Sequence, residues 1–132
     1  MWRWLREILN GERGADTLAR RGEDAAARFL RSLGYKILIR NFRCAAGEID
    51  IIARDGKELV FVEVKTRVSA EPPPEDAVNR AKQHQITKAA RVFLSRYGTP
   101  QPPARFDVIG IVWPRGREPQ VTHTQDAFAA SF

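Results

Sequence analysis

Among the ionisable residues of one hairpin-like stretch, four interrupt runs that a chain would ordinarily keep apolar. Residues 48–65, EIDIIARDGKELVFVEVK, have the aliphatic and aromatic content of a buried β-hairpin, yet carry Glu48, Asp50, Glu63 and Lys65. Charge inside a buried strand is costly unless it is paired or binds a metal. With Asp55-Gly56 as a two-residue turn, Arg54 opposes Lys57, Asp50 opposes Phe61 and Glu48 opposes Glu63. Alternation then places Glu48, Asp50 and Ile52 on one face, together with Phe61, Glu63 and Lys65, and makes Asp50 and Glu63 diagonal neighbours. Carboxylates so close raise each other's pKa unless a cation answers them. Lys65 supplies one positive charge. A hard divalent ion, Mg²⁺ or Mn²⁺, would supply the rest and keep positions for water and phosphate. The alternative is a structural ion pair, Lys65 with Glu63 or Glu48, on a solvent-facing sheet. A register slip of one residue would send the acids to opposite faces.

The remainder of the chain is basic. Its 132 residues carry a net charge of +6, mostly through arginine, whose planar fork suits phosphate. An acidic spot on a basic chain is the arrangement expected of a metal-dependent enzyme acting on nucleic acid. With 43% hydrophobic and 29% charged residues, a globular fold is expected rather than disorder. The length suits a single domain, placed at 15–132 behind an N-terminal arm, 1–14, that is either mobile or docked. No apolar run approaches the ~20 residues of a membrane helix. The N-terminus lacks a small-residue cleavage site, so no signal peptide or membrane partner is expected and a cytoplasmic location is the default. Cys44 is the single cysteine, and His84 and His123 are the only histidines, which argues against disulfides and zinc.

Positioning these groups requires a scaffold. Trp2, Leu5, Ile8 and Leu9 suit a short amphipathic helix, broken by Gly11 and Gly14. Asp16 suits an N-cap for a helix over 17–33 with its stop at Gly34. Gly22 lies on the apolar stripe of that helix, where it costs ~1 kcal/mol against Ala and signals a close neighbour. Glu23 follows at the edge of the buried face. Strands are expected at 35–42, 47–53, 58–66 and 105–113, and a second helix from about Asp76 to Tyr97, closed by Gly98. The tail adds an edge strand or a short helical end. The order α-β-β-β-α-β makes a three-layer α/β domain with a mixed sheet, in which helices on both faces explain the apolar central strands.

Asp50, twelve intervening residues and then Glu63-Val64-Lys65, on adjacent strands after a helix bearing Glu23, resembles the PD-(D/E)xK nuclease signature. RGEDAAARFLRSLGYKILIRNFRCAAGEIDIIARDGKELVFVEVKTR, followed by RFDVIGI, is more closely similar to the YraN-like family of small bacterial proteins, over about residues 18–127. Archaeal Holliday-junction resolvases are a similar branch, with a helix glutamate in the place of Glu23. The resemblance implies a restriction endonuclease-like fold with an αβββαβ core. It implies that Asp50, Glu63 and the Val64 carbonyl ligate Mg²⁺, that Lys65 activates water and stabilises phosphorane charge, and that Glu23 completes the acidic cluster. Glu48 has a supporting position behind the ligands. Ile49 stands where the superfamily name has proline. The function implied is cleavage of phosphodiesters in DNA, branched or single-stranded. A resolvase would act as a homodimer to cut two strands symmetrically. A non-catalytic nucleic-acid-binding or assembly module on the same fold is the alternative. Thr66 and Arg67 are placed to touch the DNA backbone. Arg80, Lys82, His84 and Lys88 either clamp phosphate at a helix end or form a solvated face. Asp107 is expected to pair with Arg105 or a helix rather than to catalyse.

Overall fold

The computed structural model describes residues 3–70 and 78–130, with side chains from Leu18 onward. Its elements are α1 (Arg3–Ser32), β1 (Lys36–Cys44), β2 (Gly47–Asp55), β3 (Glu58–Arg67), α2 (Arg80–Tyr97), β4 (Ala104–Val112) and β5 (Gln120–Phe128). The strands form one sheet in the order β1-β2-β3-β4-β5. Only the β3–β4 pair is parallel, and α2 is the crossover that joins it. This is the three-layer α/β arrangement with a mixed sheet expected from the element order, and the tail resolves into the edge strand β5.

The two sheet faces bury different helices. Ala26 and Leu30 of α1 pack on Ile51, Ala53, Val60, Val62, Ile109 and Ile111. Ile86, Ala89 and Ala90 of α2 pack on Ile49, Ile52, Leu59, Phe61, Phe106 and Val108. Strands β3 and β4 are therefore apolar on both sides, the pattern of sheet interior. β5 alternates between exposed and half-buried positions, as an edge strand with one solvated face does.

Three local expectations are corrected. α1 is continuous from Arg3, so neither Gly11 nor Gly14 breaks it and Asp16 is an interior residue rather than its N-cap. Each glycine costs about 1 kcal/mol in a helix, a weak local preference that the rest of this 30-residue helix overrides. Trp2 and the side chains of the expected arm lie outside the described residues. The hairpin turn is centred on Gly56-Lys57, because Asp55 pairs with Glu58 and Ile52 with Phe61. Gly56 takes φ 61°, the left-handed conformation that such turns demand. The register is thus displaced by two residues from expectation, and an even displacement preserves the faces. Finally, alternation fails near the middle of β2, since Ile49 and Ile52 both enter the α2-side core while Ile51 enters the other. Asn41, between partners paired with Ile51 and Ile49, has φ 57° and bends β1 at the same level.

Candidate functional site

The β2–β3 ladder ends its regular pairing at Ile51 and Val62. One residue further, the same register sets Asp50 against Glu63. Asp50 does not continue the ladder through its backbone there. Its Oδ2 accepts the Val64 N–H at 2.8 Å, which fixes the carboxylate across the strand pair. Glu63 is buried, with only 4% exposure, and its Oε1 lies 3.5 Å from Lys65 Nζ and 3.7 Å from Lys82 Nζ. Lys65 reaches it from two positions along β3. Lys82 reaches it from the first turn of α2.

Glu23 approaches from the opposite helix. It stands 4.0 Å from Arg40 Nη2, while the same guanidinium makes its closer contact, 2.8 Å, with Asp24. Burial and the Asp50 charge lift the Glu23 carboxyl to about 7, with Glu48 adding to the rise and Arg40 and an Asn41 hydrogen bond opposing it. Burial and Asp50 lift Glu63 to about 7 as well, against Lys82 and Lys65. Asp50 is therefore the shared neighbour of two carboxyls that enter from different sides of the sheet. The break in alternation is what allows it to face both. Glu48 is paired with Arg43 at 3.6 Å and acts on Glu23 through charge. A cleft of about 570 Å³ opens beside Glu23, walled by Arg20, Asp24, Arg40, Asn41, Arg43 and Glu48.

Among the described residues, no three His, Cys, Asp or Glu side chains converge closely enough to hold a metal ion by themselves. The donor set on offer is smaller: the Asp50 and Glu63 carboxylates with the Val64 carbonyl. These are hard oxygens, and a Glu63 carboxyl raised by burial and by the neighbouring Asp50 charge favours a small divalent cation. The set fits Mg²⁺ or Mn²⁺ that keeps several waters. Glu23 stands outside it.

The remaining expected contacts fall in different settings. Thr66 faces α1, so close that a Cβ at Gly22 would overlap its hydroxyl. Arg67 ends β3 with its Nε buried and without a hydrogen-bond partner among the described residues. Arg80 is exposed at the start of α2. Asp107 is fully buried and salt-bridged to Arg105 at 3.0 Å, as expected. Burial alone would raise its carboxyl, but hydrogen bonds with His123, Arg105 and the Asp126 N–H hold it below the usual range. Arg105 also binds Asp55, Glu58 and the Tyr35 hydroxyl, so this network ties the hairpin turn to β4 and β5. The participation of His123, 2.7 Å from Asp107, escaped the sequence, as did the cleft arginines Arg20, Arg40 and Arg43. Nothing in local spacing marks either group.

A model of the uncharacterised protein family UPF0102 matches residues 22–111. Similar curated proteins carry the same description. The UPF0102 protein of Geobacter metallireducens is 50% identical over 88% of this chain and 95% of its own length. That of Geotalea daltonii is 49% identical over 92% and 97%, and that of Streptomyces griseus 46% over 86% and 95%. Among the described residues no helix is long and apolar enough to cross a membrane.

Proposed function

We propose that this chain, which belongs to the UPF0102 (YraN-like) family, is a metal-dependent endonuclease that hydrolyses phosphodiester bonds in DNA. The observation that carries the proposal is the Asp50–Glu63 pair, set across two adjacent strands with Lys65 3.5 Å from Glu63. Asp50, Glu63 and the Val64 carbonyl would hold Mg²⁺ or Mn²⁺, whose chemistry is to polarise the phosphodiester and to lower the pKa of a bound water. Lys65, fixed on β3, would orient the attacking water and offset charge on the phosphoryl oxygens. Glu23 supplies a second carboxyl near Asp50 that titrates near neutrality and can exchange a proton with solvent. The net charge of +6 favours a polyanionic partner, whose backbone Thr66, Arg67 and Arg80 would touch. A restriction endonuclease-like superfamily, kinship with junction resolvases, cytoplasmic action on branched or single-stranded DNA, and a homodimer for symmetric cutting all belong to this proposal.

One observation favours a non-catalytic binding module instead. Lys65 and Lys82 together answer Glu63 without any metal. A single comparison separates the two readings. Branched, single-stranded and duplex DNA are incubated with Mg²⁺ or Mn²⁺ and the wild type, Asp50→Ala or Lys65→Ala. Cleavage by the wild type and its loss in both variants is expected. No cleavage of any substrate, with DNA binding unaffected by either change, would overturn the nuclease in favour of the module.

A further inference from the structure

Glu63 is flanked by two ammonium groups, and one of them comes from outside the strand pair. Lys82 is held by its own scaffold. Its backbone N–H donates to the Asn79 side chain at 2.9 Å, and the Gln83 N–H donates to the Asn79 carbonyl at 2.9 Å. Val78 and Ile86, on either side, are buried against the sheet. The β1–β2 turn braces the same segment, since a Cβ at Gly47 would come within 3.2 Å of the Gln85 carbonyl oxygen. The helix start is thus anchored while the side chain remains 34% exposed. Its 3.7 Å separation from Glu63 Oε1 is longer than a hydrogen bond, so the ammonium is free to move to a better acceptor.

Charge counting shows why a second lysine belongs there. Ionised as metal ligands, Asp50 and Glu63 would be faced by Lys65 and Lys82, two charges of each sign before a cation is added. Adding a divalent cation leaves a surplus of two positive charges. A phosphodiester brings one negative charge and a pentacovalent phosphorane two. With Lys82 removed the surplus is one, enough for the ground state and short for the transition state. We propose that Lys82 is a second active-site cation that leaves Glu63 for an oxygen of the scissile phosphate, instead of a backbone clamp beside the reaction centre. The proposal rests on the nuclease reading above. In the reaction, water adds its oxygen to phosphorus and the bond to the leaving ester oxygen breaks. One water proton ends on the departing hydroxyl and the other on the new phosphate or in solvent. Lys82 acts on the charge and takes no part in the bond changes.

The test uses the full chain as wild type, Lys82→Met and Lys82→Arg, with Lys57→Met in the hairpin turn as a control. Single-turnover cleavage at saturating DNA is expected to slow at least ten-fold in Lys82→Met, with the Kd for DNA in EDTA changed less than three-fold. Lys82→Arg should recover most of the rate. Manganese binding without DNA gives a readout independent of turnover. Lys82→Met should bind Mn²⁺ at least three-fold more tightly, because an ammonium no longer competes for Glu63. A wild type that cleaves, beside a Lys82→Met that cleaves equally fast or only binds DNA more weakly, overturns the role of Lys82 alone. Unchanged or weaker Mn²⁺ affinity in that variant overturns it as well. A wild type that neither cleaves nor binds Mn²⁺ overturns the nuclease together with it.

Discussion

Replacing Glu63 with glutamine should stabilise the metal-free protein at alkaline pH and leave it nearly unchanged in acid. The ordinary carboxyl pKa of 4.5 describes the unfolded chain, whereas burial and Asp50 raise it to about 7 in the folded one. Between those values the folded state keeps a proton that the unfolded state has lost. Stability from this group is therefore complete below about pH 4.5 and disappears as pH rises through about 7. A displacement of this size disfavours the buried carboxylate by on the order of 3 kcal/mol. Glutamine keeps the shape without the charge. Loss of the Lys65 and Lys82 pairs is already contained in the net displacement, because both oppose it. The variant should thus exceed the wild type by about 2–3 kcal/mol at pH 8, or roughly 6–10 °C in Tm for a chain of this length. Thermal melts followed by circular dichroism in EDTA, from pH 4.5 to 8.5, measure the gap. Glu23 titrates in both proteins and largely cancels in the comparison. Millimolar Mg²⁺ should narrow the gap at pH 8 by stabilising the wild type alone. A gap that does not vary with pH, or a wild type that is the more stable at pH 8, would refute the reasoning.

Other outcomes follow from the scaffold. Gly22→Ala should destabilise by about 1–3 kcal/mol through overpacking against Thr66, despite Ala's better helix propensity, measured by urea denaturation. Asp107→Ala should cost about 1–3 kcal/mol in chemical denaturation, because Arg105 Nε and the Asp126 N–H lose their acceptor while Asp55 and Glu58 still hold the guanidinium. Asn79→Ala should cost about 1 kcal/mol as a lost helix cap. It should also loosen the start of α2, visible as faster amide exchange at Lys82.

Much of this protein was legible in its sequence because the signals are local. Aliphatic runs bounded by Gly and Pro marked β2, β3, β4 and α2, and an Asp-Gly pair marked the hairpin. Gly22, an unfavourable residue on an apolar helix stripe, correctly announced a close neighbour, which is Thr66. Asp50, Glu63 and Lys65 stood out because charge inside apolar strands needs a reason. The limits of α1 were misjudged because glycine's local cost is small beside the propensity of a whole helix. The turn was misplaced by one residue, and the register with it by two, because Asp55-Gly56 and Gly56-Lys57 both satisfy its chemistry, and cross-strand packing chooses between them.

Sequence by itself determined the order of elements, the sheet-forming segments and the identity of the charged groups, since each follows from the backbone preferences and polarity of neighbouring residues. Tertiary structure decided which charges meet. It gave Asn41 of β1 a left-handed φ and set one aspartate, Asp50, beside carboxyls arriving from both sides of the sheet. It brought Lys82 from α2 to the same oxygen that Lys65 approaches. It also gathered Arg105, Asp107, His123 and Tyr35 into one network. These encounters depend on how helices seat against a twisted sheet, and that is set by the packing of the whole core rather than by any stretch of the chain.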